Sequence, residues 1–205
     1  MIEILKDRFS MYKNFEIIKQ DVLKINLNSL IKENNFKSTK IVANLPYYIT
    51  TPIIMKLLEE KLDITSIIVM IQKEVADRLT AIPGEKNSGA ITHAVYYYAT
   101  SEEILTVPNT SFIPEPEVES EVIKLTLRKE PPIKINKEKK FFELIKVAFM
   151  QRRKTLLNAV ANSSIGISKE EMEQILCQLE IDSRIRGEAL TIEQFAAISE
   201  KIEKY

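Results

Sequence analysis

Glycine is scarce in this chain. The four present, Gly84, Gly89, Gly166 and Gly187, never fall into a Gly-x-Gly pattern, so a glycine-rich loop of the kind that cradles phosphates or a nucleotide is not written in these residues. Histidine is scarcer. His93 alone excludes a His-rich metal site and argues against a His-based triad; no metal is expected, and His93, next to Thr92 on a helical run, reads as structural. One cysteine, Cys177, permits no internal disulfide and fits a reducing cytosol. Its place in an apolar helical pattern predicts a small core residue. The longest apolar run, residues 64–71, is far too short to span a bilayer, and the first residues carry no signal-peptide pattern. A cytoplasmic protein that makes no membrane contact is expected. Internal repeats and low-complexity tracts are also missing.

What is present is ordinary globular material: 45% hydrophobic and 28% charged residues in 205, enough for one good core and a small second unit. Net charge is zero but uneven. Residues 101–121 hold six acids and no Lys or Arg, whereas residues 134–154 hold eight bases against Glu138 and Glu143, a local charge of +6. Such a stretch suits phosphate.

Periodicity divides the chain. A helix is expected over residues 1–12, a strand over 15–18, a helix over 27–35 and a buried strand over 40–43. Thr51-Pro52 opens the next helix, with Thr51 as cap and proline at the first position. A continuous apolar strand over 66–71 suits a sheet covered on both sides. A charged segment over 72–79, a polar loop over 84–89, a helix over 90–99, and strands over 104–107 and 122–128 follow. Pro131-Pro132 marks a linker over 129–137, and 138–205 is helical throughout, with capping boxes at Ser168/Glu171 and Thr191/Gln194.

The chain is organised around Asn44-Leu45-Pro46-Tyr47-Tyr48. Pro46 has no N–H for a sheet ladder and pushes Leu45 into an extended conformation. Asn44 is thereby held at the carboxyl end of a strand, where open α/β sheets bind ligands. The Asn44 carboxamide oxygen and the Leu45 carbonyl are two acceptors that can converge on the exocyclic amine of a base. They can also stabilise the positive charge that grows on that nitrogen as it attacks an electrophile. Tyr47 offers a face for the base, worth about 1–3 kcal/mol. A plain proline turn with packed tyrosines is the alternative. Phe112, before Pro114 and Pro116, can stack on a flipped base opposite Tyr47 or plug the sheet edge. Asp21 can accept from an adenine amine with Val22 against the ring, or cap a turn. Lys146, Arg152, Arg153 and Lys154 are phosphate-binding candidates or a solvated face.

The residues NLPYYIT, then QKEVA from Gln72, then Phe112-x-Pro114-x-Pro116-x-Val118-x-Ser120, then QRRKTL from Gln151 and RGE-x-L from Arg186 together resemble the adenine-N6 ribosomal RNA methyltransferases, most of all the small-subunit rRNA adenine dimethyltransferases. The resemblance runs from about Phe15 to the last helix. It implies a Rossmann-like α/β methyltransferase sheet over residues 1–128 and a small all-helical, RNA-binding domain over 138–205. It implies transfer of methyl groups from S-adenosylmethionine to two adjacent adenines of small-subunit rRNA. Asn44, Leu45, Pro46 and Tyr47 would be the catalytic corner, and Asp21, Val22 and Asn44 would face the cofactor. Tyr47 and Phe112 would stack the base. Two departures matter. Glu117 stands where the family has a basic or neutral residue. The family's first strand, glycine loop and second strand precede anything in this chain, which implies a sheet lacking strands, an inactive chain on its own and room for chain exchange. A non-catalytic RNA-binding or ribosome-assembly module, or a transcription-associated relative, therefore stays open.

Overall fold

The computed structural model describes residues 2–34, 36, 38–161 and 163–202. In chain order these form α1 (Ile2–Arg8), α2 (Leu27–Glu33), β1 (Lys40–Asn44), α3 (Thr50–Glu59), β2 (Ser66–Gln72), α4 (Lys73–Thr80), α5 (Ala90–Tyr98), β3 (Ala99–Val107), β4 (Ser120–Leu127), α6 (Glu138–Met150), α7 (Leu156–Val160), α8 (Lys169–Gln178) and α9 (Ile192–Lys201).

The sheet has the order β1-β2-β4-β3. β1 runs parallel to β2, and β4 runs antiparallel to both β2 and β3. The carboxyl ends of β1, β2 and β3 therefore meet the start of β4 at one end of the sheet. Its middle strand carries the expected apolar run: Ile67, Val69 and Ile71 are fully buried, while Ile68 and Met70 on the other face are half-covered. Each fully buried side chain of this size contributes about 1.5–3 kcal/mol.

Three expectations about local structure change. Residues 15–18 form no strand. A strand needs a ladder partner, and Phe15 instead packs its ring 4.3 Å from that of Phe9. The helix after the corner starts at Thr50, which sends its hydroxyl to the Pro46 carbonyl at 3.1 Å; Ile49 holds the capping position, so Thr51 does not cap and Pro52 is third in the helix. β3 begins at Ala99, directly after α5, and not near Ile104.

From Glu138 onward the described residues form helices, a 3-10 turn at Gly187–Ala189, and an isolated bridge between Thr155 and Arg186. Both capping boxes are formed. Cys177 is exposed: the buried stripe of α8 is Met172, Ile175 and Leu176, and a further 100° turns the next residue towards solvent. Gly187 lets the tail approach α6 closely, since a Cβ there would lie 2.5 Å from that of Ala148.

Two apolar cores result, one under the sheet and one among α6–α9. They meet at α5, where Tyr98 stacks on Phe142 with ring centroids 5.4 Å apart and planes 16° off parallel. His93, fully buried on the same helix, lies 5.2 Å from the Phe149 ring and 5.1 Å from that of Phe195. Its Nδ1 is 3.0 Å from the Gly89 carbonyl. Burial pushes the imidazole pKa down, against the pull of the Gly89 and Leu190 carbonyls. The folded state thus holds the neutral ring. The stability this contributes is complete above the ordinary value of 6.5 and is lost as pH falls below it, because the unfolded chain then binds the extra proton. Thermal melts from pH 7.5 down to about 5 should show a falling midpoint. The fall should shrink in His93→Asn, and an equal fall in both proteins would assign it to other groups.

Candidate active site and RNA interface

The sheet end that collects the strand termini holds the corner. Asn44, the last residue of β1, is opposite Met70 and exposed. Leu45 turns its side chain into the core and donates its N–H to the Met70 carbonyl at 3.3 Å. Among the described residues its own carbonyl has no donor. The next carbonyl, that of Pro46, is occupied by Ile49 N–H at 3.2 Å and the Thr50 hydroxyl. Proline punctuation thus separates two adjacent carbonyls into one used by the following helix and one left free beside the Asn44 carboxamide.

The two tyrosines differ. Tyr48 is 85% exposed. Tyr47 is half-buried, and its Oη lies 2.8 Å from Oγ of Ser120. Ser120 is fully buried, opens β4, and is opposite both Gln72 and Val107. The sequence placed Ser120 in a recurring pattern but assigned it no role; the 73-residue separation hides the pairing. Phe112 is half-buried in the β3–β4 connection above the same sheet end, with its N–H on the Asn109 carbonyl at 3.1 Å. Asn109 Nδ2 in turn reaches the Pro116 carbonyl at 3.4 Å.

Asp21 sits in a turn and not at a strand end. Its Oδ1 accepts the Leu23 N–H at 2.9 Å, and its carbonyl accepts from Lys24 and Ile25. Val22 packs against the sheet core, so this turn is seated on the same domain as Asn44.

The charged segment after β2 now has a physical account. Lys73 N–H meets the Glu119 carbonyl at 3.0 Å, and its ammonium lies 3.5 Å from Glu121 of β4. Burial first, then Glu103, raises the Glu121 carboxyl, and Lys73 opposes them. Oxygens of Asp77, Glu103 and Glu121 come within 4.8 Å of one another, and Lys73 supplies their counter-charge. The segment locks α4 onto the sheet beside the corner.

In the basic turn, Lys146, Arg153 and Lys154 are exposed and have no acidic partner among the described residues. Arg152 is different. It donates from Nη2 to the Ser88 carbonyl at 2.7 Å, and its guanidinium lies 5.8 Å from the centre of the Phe149 ring. It straps the 84–89 loop to the end of α6. Among the described residues no helix is long and apolar enough to cross a membrane.

The family profile described as ribosomal RNA adenine dimethylase matches residues 1–204. Proteins named ribosomal RNA small subunit methyltransferase A are similar over almost the whole chain. That of Geobacillus sp. (strain WCH70) is 49% identical over 207 residues, covering 99% of this chain and 71% of the relative. That of Clostridioides difficile (strain 630) is 47% identical over 200 residues, covering 97% and 69%. In solved structures the fold recurs in a dimethyladenosine transferase from Plasmodium falciparum, with a TM-score of 0.74 at 24% identity over 96% of this chain and 76% of that one. It recurs again in the 23S rRNA methyltransferase ErmE, with a TM-score of 0.63 at 19% identity over 98% and 78%. The sheet is accordingly that of a Rossmann-like methyltransferase, and with near-half identity sustained along its length the chain belongs to the ribosomal RNA adenine dimethylase family.

Proposed function

We propose that this chain acts on adenine N6 of small-subunit rRNA through the corner Asn44-Leu45-Pro46-Tyr47. The observation that carries the reading is the pair of open acceptors, the Asn44 carboxamide and the Leu45 carbonyl, beside a tyrosine whose hydroxyl is held. S-adenosylmethionine, when bound, supplies an electrophilic methyl group. The amine of adenine is a poor nucleophile because its lone pair is delocalised into the ring. Two acceptors on its N–H groups favour a more tetrahedral nitrogen and stabilise the positive charge that develops there; the surplus proton leaves the nitrogen after attack. The protein's contribution is orientation and fixed dipoles. Tyr47 and Phe112, both at this sheet end, are the faces for the target base.

The residues present fit the adenine half of the cofactor. Asp21 keeps one carboxylate oxygen outside its turn hydrogen bond for an amino group, Val22 supplies an apolar contact, and Asn44 is shared with the target base. Lys146, Arg153 and Lys154 would meet RNA phosphates, with Arg152 bracing the turn that presents them. The unit from Glu138 onward is then the RNA-binding domain, and an rRNA substrate together with an unpaired cysteine favours the cytoplasm.

The test uses unmodified small ribosomal subunits, S-adenosylmethionine with an isotopically labelled methyl group, and mass spectrometry of the digested RNA. Labelled N6,N6-dimethyladenosine at two neighbouring positions is expected. Tight RNA binding with no transferred label would favour a non-catalytic assembly module.

A further inference from the structure

Of the two adjacent tyrosines, only one is held. Tyr48 stands 85% exposed with no hydrogen bond among the described residues. Tyr47 reaches past the end of β2 to the first residue of β4, Oη to Oγ 2.8 Å. Ser120 is itself immobilised: it is fully buried and occupies a ladder position between Gln72 and Val107. The phenol therefore ends on a point that belongs to the sheet and not to a loop.

We propose that Ser120 is a positioning residue for base recognition: through this hydrogen bond it fixes the plane of the Tyr47 ring, so that Tyr47, and not the more accessible Tyr48, is the surface on which the target adenine stacks. This rests on the reading of the corner given above and adds to it the residue that orients the ring. A ring free to rotate must lose that freedom when a base lands on it, and immobilising one such side chain weakens binding about 3- to 10-fold. A ring tethered at its hydroxyl has lost it on folding. The same tether couples the corner after β1 to the loop that carries Phe112, because Ser120 is where that loop rejoins the sheet.

The test is binding of a short oligoribonucleotide containing 2-aminopurine in place of adenine, whose fluorescence is quenched on stacking. The full chain is used, with no turnover required. Tyr47→Phe and Ser120→Ala should each weaken binding about 3- to 10-fold, and the double variant no more than either alone. Ser120→Thr, which keeps the hydroxyl, should restore most of the affinity. Tyr48→Ala should change little. If Ser120→Ala does not fold, Tyr47→Phe tests the same hydrogen bond from the other side without touching the sheet. Loss of quenching in Tyr47→Ala, with Tyr47→Phe and Ser120→Ala unchanged from the parent, overturns the tether and keeps the corner. Parent-like behaviour of Tyr47→Ala, or no quenching by the parent chain, overturns the reading of the corner and the tether with it.

Discussion

Replacing Asn44 by alanine should lower methyl transfer to small-subunit rRNA about 100-fold or more, whether the chain acts alone or joined to the further sequence its relatives carry. The figure is that for losing one preorganised hydrogen bond that strengthens in the transition state. Asn44 is suited to such a bond: it ends β1 in register with Met70, so its backbone is fixed by the sheet, while its side chain is exposed and makes no hydrogen bond within the described protein. The loss should fall mainly on the rate, with cofactor affinity changed less. Asn44→Asp keeps an acceptor oxygen and should retain more activity than alanine. The measurement is turnover with labelled S-adenosylmethionine, alongside calorimetric cofactor affinity for each variant. Near-normal turnover in Asn44→Ala would make the corner a structural turn.

The second large effect is on RNA affinity. Replacing Arg152, Arg153 and Lys154 together by alanine should weaken binding to small-subunit rRNA steeply at low salt. It should also flatten the plot of log K against log salt by about 2–3 units, since each lost phosphate contact removes roughly 0.7–0.9. The three positions are not equivalent. Arg153 and Lys154 project without partners, while Arg152 is engaged with the Ser88 carbonyl. Singly, Arg153→Ala and Lys154→Ala should each reduce the slope, and Arg152→Ala should act more through loosening of the loop it straps. An unchanged affinity and slope in the triple variant would remove the basic turn from the interface.

The corner was legible because proline and asparagine act locally: a missing N–H and a short polar side chain shape the residues beside them, whatever is packed above. The capping boxes at Ser168 and Thr191 were legible for the same reason. Residues 15–18 were not, since an apolar alternation becomes a strand only when a neighbour offers a ladder, and the Phe9 ring was the better partner. Cys177 was misplaced because a run of apolar residues does not say where the buried stripe of a helix ends. The Tyr47–Ser120 bond, the Lys73–Glu121 pair and the Arg152 strap each join residues that lie far apart in the chain. Only the folded sheet and the packed tail bring them together.

Helix α5 gives the molecule a property that neither core has by itself. Tyr98 and Phe142 pack against both cores, and His93 turns its ring towards α6 and α9. The helix is a party wall: stripping away the tail would leave it half bare, and melting the sheet would leave the tail without its backing. Heat or denaturant thus meets one cooperative structure and not two that come apart in turn. For an RNA laid across the surface, the corner and the basic turn behave as two marks on one ruler. A folded RNA that presents an adenine and a phosphate run at the matching interval satisfies both at once, and a loose strand carrying the same base has no such interval to offer.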